Sequence, residues 1–88
     1  MTKKEIKILK SLANAKRIEI LELLEAKSGL NVGDIAKEIH LSFKSVSKHL
    51  QKLAEADLIE QQRDGLYVNH LLKNATKRLL QDVAKFKS

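Results

Sequence analysis

Between Leu58 and His70 the apolar residues of this chain leave a helical spacing and fall into rough alternation. Two runs, Leu58-Ile59-Glu60-Gln61-Gln62-Arg63 and Leu66-Tyr67-Val68-Asn69-His70, flank Asp64-Gly65. Asp-Gly between such runs is among the strongest short hairpin signals, because the tight turn needs positive φ. On either side the spacing is helical. The fold class that follows is mainly α with one β-hairpin.

Caps and apolar stripes place the helices. Ile6, Leu9 and Leu12 mark a short first helix over about 3–12. Asn14 caps a second, whose broad apolar face takes Ile18, Leu21 and Leu24 with Ile20 and Leu23 beside them. Ser28-Gly29 ends it, and Asn31 caps a shorter third helix carrying Val32, Ile35, Ala36 and Ile39. His40-Leu41 then makes a tight connection to Ser42, and the helix that starts there ends near Ala56-Asp57. From about residue 73 to 86, Ala75, Leu79, Val83 and Phe86 restore helical spacing, with Leu80 and Ala84 widening the stripe. The order is α-α-α-α-β-β-α. It reads as a helix-turn-helix over about 32–56 followed by a hairpin over about 58–71 placed to act as a wing, a winged helix-turn-helix.

The fourth helix carries the chemistry. From Ser42 it runs Ser-Phe-Lys-Ser-Val-Ser-Lys-His-Leu-Gln-Lys-Leu, without an acidic residue. Ser42 can cap it by accepting an orphan backbone N–H. Val46, Leu50 and Leu53 give one face to bury. Lys44, Lys48 and Lys52 follow on another face at i, i+4 and i+8, with Ser45 and His49 alongside. Such a helix suits the major groove of double-stranded DNA, where lysines meet phosphates while Ser, His and Lys reach base edges. A merely solvated lysine face is the competing reading.

Composition supports a polyanionic partner. The 88 residues carry a net charge of +6, concentrated at Lys3 to Lys10, Lys44 to Lys52 and Lys73 to Lys87. A chain this short forms one domain, 1–88, that buries only about 60–65% of its unfolded surface and gains from a partner subunit. Aromatics are only 3%, which disfavours the stacking platforms of single-strand binders. Without Cys there is neither a disulfide nor a thiolate metal site. The N-terminus lacks the apolar block of a signal peptide, and no stretch approaches the roughly 18 apolar residues of a membrane span, so a cytoplasmic protein without a membrane partner is expected. No cysteine nucleophile, Ser-His-Asp spacing, phosphate-cradling glycine loop or paired carboxylates can be read, which disfavours an enzyme.

Several segments resemble the ArsR family of winged helix-turn-helix repressors, over nearly the whole chain. Leu12-Ala13-Asn14-Ala15-Lys16-Arg17-Ile18-Glu19-Ile20-Leu21-Glu22-Leu23-Leu24 is similar to the family's opening signature, and Leu30-Asn31-Val32-Gly33-Asp34-Ile35-Ala36 to its third-helix entry. Val46-Ser47-Lys48-His49-Leu50, then Leu53, Ala56 and Leu58-Ile59, resembles its Val-Ser-Arg-His-Leu and Ala-Gly-Leu-Val pattern, and Arg63-Asp64-Gly65-Leu66-Tyr67-Val68 its wing. The resemblance implies a homodimer on an imperfect palindrome, with the first and last helices as its interface. Those helices offer Ile6, Leu9, Leu12, Leu72, Ala75, Leu79, Val83 and Phe86.

Of the family's metal sites little is present. Where metal-sensing members place Cys-x-Cys this chain has Asn31 and Gly33, and the last helix offers only Asp82. His70 reads as a strand residue packed on the body, and His40 as a solvated or capping residue at a turn. No metal or other cofactor is expected, and any small-molecule effector is left unknown.

For DNA, Ser47, Lys48 and His49 are the first candidates, with Ser42, Lys44 and Ser45 near the helix N-terminus. Phe43 either meets a thymine methyl or takes a core or interface role. Lys52 and Lys16 suit phosphates, and Arg63 at the wing tip suits the minor groove, a phosphate or only solvent. Arg17 reads as structural, paired with Glu25, Asp34 or a helix end. The leading function is a dimeric repressor or autoregulator. A nonspecific architectural DNA binder and a protein-docking winged helix are the alternatives.

Overall fold

The second helix is the hub. Because its apolar residues spread over more than one side, it can be touched by four other elements at once. In the computed structural model, which describes residues 1–86, α2 (Ala15–Ala26) packs against α1 (Lys3–Leu12), α3 (Val32–Ile39), α4 (Phe43–Glu55) and β2 (Tyr67–Leu72). Ile20, Leu21 and Leu24 are buried at its centre. The hairpin is completed by β1 (Ile59–Asp64), and α5 (Asn74–Ala84) closes the order.

The helix starts follow the capping residues. Asn14 Oδ1 accepts the Arg17 N–H at 3.1 Å, Asn31 Oδ1 the Asp34 N–H at 2.9 Å, and Ser42 Oγ the Ser45 N–H at 3.1 Å. Thr2 and Glu5 close a reciprocal box on α1 that the stripe alone did not reveal. At the end of α3, His40 takes the left-handed conformation, φ 57°, and both its N–H and that of Leu41 return to Ala36 O. That ending turns the chain sharply into α4. It sets the two helices of the helix-turn-helix against each other.

One face of α4 supplies Val46, Leu50 and Leu53 to the core, where they meet Ile20, Leu21, Leu24, Ile35, Leu58 and Ile59. Each fully buried aliphatic side chain contributes about 1.5–3 kcal/mol. The opposite face of α4 is therefore held outward by packing rather than by its own charges.

The hairpin pairs Ile59 with Leu72 through to Asp64 with Tyr67. Its central turn residues are thus Gly65-Leu66, one position later than the expected Asp64-Gly65. Gly65 has φ 61° whereas Leu66 lacks a positive φ, as a type II′ turn requires. This register sets Ile59 and Leu72 opposite each other and buries both. Leu72 is 4% exposed and belongs to the core, so the expectation that it lies on a subunit interface is corrected. It ends β2, not a free face of the last helix.

The loop between α2 and α3 adds a further rung. Gly29, at φ 85°, donates its N–H to His70 O at 3.0 Å, and the His70 N–H donates to Leu30 O at 2.9 Å. His70 is 2% exposed, and its Nδ1–H donates to the same Leu30 carbonyl at 3.0 Å. Its role as a packed strand residue is realised, with a specific polar anchor.

The last helix leans out from the body. Thr76 Oγ1 donates to Leu58 O at 2.7 Å and Leu80 packs on the core, but Val83 and Phe86 are exposed, the latter in the turn beyond the helix. At the joint between α4 and β1, Asp57 sits at φ 62°. Its carboxylate accepts from Lys4 Nζ of α1 at 2.9 Å and from Lys73 Nζ at the head of α5. These two ammonium groups hold its carboxyl down at about 2. No described helix is long and apolar enough to cross a membrane.

Candidate nucleic-acid interface

Eight of the ten residues expected to face DNA lie at the cap or along the body of α4, and the helix sorts them. Lys44 and Lys48 are fully outward, and neither forms an ion pair among the described residues. Ser45, Ser47 and His49 are half-buried on the flanks. Ser42 is committed to capping through its acceptor lone pair, leaving its O–H free to donate. Phe43 is 64% exposed, which excludes a core role in this chain.

Lys52 stands apart. It lies about 12 Å along the axis from Lys44, at 1.5 Å per residue. There it sits 4.0 Å from Glu55 and borders a cleft with Lys7 and Lys10 of α1. Lys16, in the first turn of α2, is 2.9 Å from Glu19. Exposed pairs of this kind are worth about 0–1 kcal/mol, so a phosphate can displace the glutamate. Arg63 is on β1 one rung before the turn, exposed and unpaired among the described residues.

Arg17 departs from expectation. None of the ion pairs among the described residues includes it, so pairing with Glu25 or Asp34 is not realised. Its Nε is buried without a hydrogen-bond partner. Burial first, and then the Arg17 charge, lower the pKa of His49 on α4. The shift favours the neutral imidazole, which has one nitrogen to donate and one to accept. An unpaired cation beside the helix that carries the lysine row is a feature the sequence signalled only as a family position.

The two flanks of α4 thus face different neighbours. Ser47 and Gln51 line a groove with Gln61, Val68 and His70 of the hairpin, whereas His49 lies toward the α2 side with Arg17. Between the flanks the lysines point away from the body. The ensemble is a cationic helix N-terminus with neutral donors on each side and a hairpin next to it. Among the described residues no three His, Asp or Glu side chains cluster in a way that could hold a metal ion.

The family model for "bacterial regulatory protein, arsR family" matches residues 14–61, more than half of the chain. The chain belongs to the ArsR family. This ArsR-family chain is 31% identical over 67 residues to the HTH-type transcriptional regulator YgaV of Escherichia coli, covering 76% of itself and 68% of that relative. It is 35% identical over 75 residues to the transcriptional repressor SdpR of Bacillus subtilis, covering 85% and 79%. Against the regulator KmtR of Mycobacterium tuberculosis it is 33% identical but spans only 57% of that protein's length. Among solved structures it superposes with TM-score 0.83 and 29% identity on Mb0332 of Mycobacterium bovis, covering 93% and 79% of the two chains. That structure is described as a homodimeric winged helix-turn-helix DNA-binding domain of a possible ArsR-family regulator. The ArsR-family chain is accordingly a DNA-binding transcriptional regulator with a winged helix-turn-helix fold, and not an enzyme.

Proposed function

We propose that this regulator is a homodimeric repressor or autoregulator that reads an imperfect palindrome in double-stranded DNA, with α4 in the major groove. The observation that carries the reading is the Lys44–Lys48 row, outward and without carboxylate partners among the described residues, on a helix fixed to the core by Val46, Leu50 and Leu53. Ser47 and His49 reach base edges from its flanks, while Ser42, Ser45 and the backbone N–H groups of the first turn hold a phosphate. Lys16, Lys52 and Arg63 serve the flanking backbone, and Arg17 joins them as a cation without an ion-pair partner among the described residues.

Dimerisation is supported by Ile6, Leu9, Ala75 and Val83, exposed on the two terminal helices, by exposed Phe86 in the turn after the last, and by the description of Mb0332 as homodimeric. Leu12 and Leu79 border a cleft that α5 forms with Ile18, Glu22 and Glu25 of α2. Repression is supported by the name of SdpR. Metal does not act through the usual family positions, because Asn31, Gly33 and Asp82 offer too few donors there.

The test is selection from random duplex pools with sequencing, across a salt series. An enriched inverted repeat with half-sites about 34–36 Å apart is the expected outcome. Salt-sensitive binding without an enriched motif would instead make the protein architectural.

A further inference from the structure

Three large apolar side chains stand in water on the same side of the molecule. Phe43 opens α4, Leu66 is the second residue of the hairpin turn and is 97% exposed, and Tyr67 follows at 62%. They border one cleft of about 400 Å³, walled also by Val32 and Val68. Neither local structure demands them. The type II′ turn needs glycine at its first position and is indifferent to an apolar side chain at its second. A helix start capped by Ser42 gains nothing from an adjacent exposed phenylalanine.

The surroundings restrict what can cover this patch. Among the described residues no carboxylate lines the cleft. Lys44 follows Phe43 directly, and Arg63 lies just before the turn, both without ion-pair partners among the described residues. The matching partner is therefore anionic with apolar surface between its charges. Duplex DNA offers that combination in the C5-methyl of thymine and the carbon face of deoxyribose. In the proposed docking, with the start of α4 in the major groove and the hairpin over the backbone, one strand would pass across the mouth of the cleft.

Resting on the proposed DNA-binding function, we infer that the cleft between the first turn of α4 and the wing tip is an apolar reader of thymine. Phe43 packs on a thymine methyl in the major groove, and Leu66 and Tyr67 pack on the deoxyribose of the strand between. A polar side chain at position 43 would read a base edge by hydrogen bonds. Phenylalanine reads the methyl instead.

Operators recovered by selection are rebuilt with deoxyuridine in place of single thymines, which removes only the methyl. One thymine in each half-site is expected to weaken wild-type binding about fourfold per half-site when replaced, the equivalent of ~0.8 kcal/mol for one buried methyl-sized group. Phe43→Ala should lower affinity on the thymine operator and erase the thymine–uracil difference, with the salt dependence unchanged because no phosphate contact is lost. Leu66→Ser should lower affinity but keep that difference. Circular dichroism checks that these surface variants fold. A Phe43→Ala protein with wild-type affinity, or one that still discriminates uracil, overturns the inference while leaving DNA binding intact. A wild-type protein that binds no duplex overturns the proposed function as well. Wild-type binding to phosphatidylglycerol vesicles that Phe43→Ala loses, without any uracil effect, would assign the patch to a lipid surface.

Discussion

His49 and Arg17 show how a single pair of side chains can set the chemistry of one flank of a helix. Burial and the neighbouring guanidinium favour neutral imidazole in the folded protein, so the unfolded chain takes up this proton first as pH falls. The stabilising difference is complete above the ordinary histidine range and is lost as pH drops from about 6.5 toward the lowered value. Urea unfolding at pH 7.5 and 5.5 should show wild type losing more stability than His49→Gln over that interval. Equal losses would dissociate the histidine from the effect. Lys48 makes a complementary case. Lys48→Ala should cost about 1–3 kcal/mol on an operator and far less on random duplex if it reads a base. If it meets phosphate, the loss is uniform and the salt slope falls by about 1. Helical spacing placed Lys48 on the outward side of α4 and His49 on its flank, as the structure has them. The neighbours expected for Arg17 were wrong, because pairing across helices depends on how α2 crosses α4, which no local pattern records.

Elements were legible where the chain carries local punctuation. Asn14, Asn31 and Ser42 cap the helices they were expected to cap, since an N-cap needs only a short-range bond. The hairpin was legible too, but its turn lay one residue later. The pairing of Ile59 with Leu72 is a tertiary requirement, and Gly65 can serve either turn position. The Gly29–Leu30 rung against His70 was invisible for the same reason, its partners lying 40 residues apart. Two changes test these elements. Leu50→Ala removes a buried anchor of α4 and should lower stability by about 2–5 kcal/mol in denaturant unfolding. Gly65→Ala meets no atom within 4 Å, so only backbone strain at φ 61° opposes it, about 1–2 kcal/mol. A neutral result at Gly65 would mean that the turn adopts another conformation in solution.

At the scale of the molecule, the apolar surface of the terminal helices is the least self-sufficient part. Leu9 and Val83 are 54% and 55% exposed, Leu9 on the outer side of α1 and Val83 on the last helix. Val83→Glu should convert a dimer to monomers in sedimentation velocity, with little loss of monomer stability because the site is already solvated. A dimer that persists would place the interface elsewhere. Both helices also meet one carboxylate. Asp57 holds α1 through Lys4 and the head of α5 through Lys73 just past the end of α4, so both terminal helices and the base of α4 share one fastening. Exposed pairs of this kind slacken as counterions crowd in. Ionic strength therefore acts on this protein twice, once at the nucleic acid and once at this internal fastening, so a salt titration of binding sums two processes.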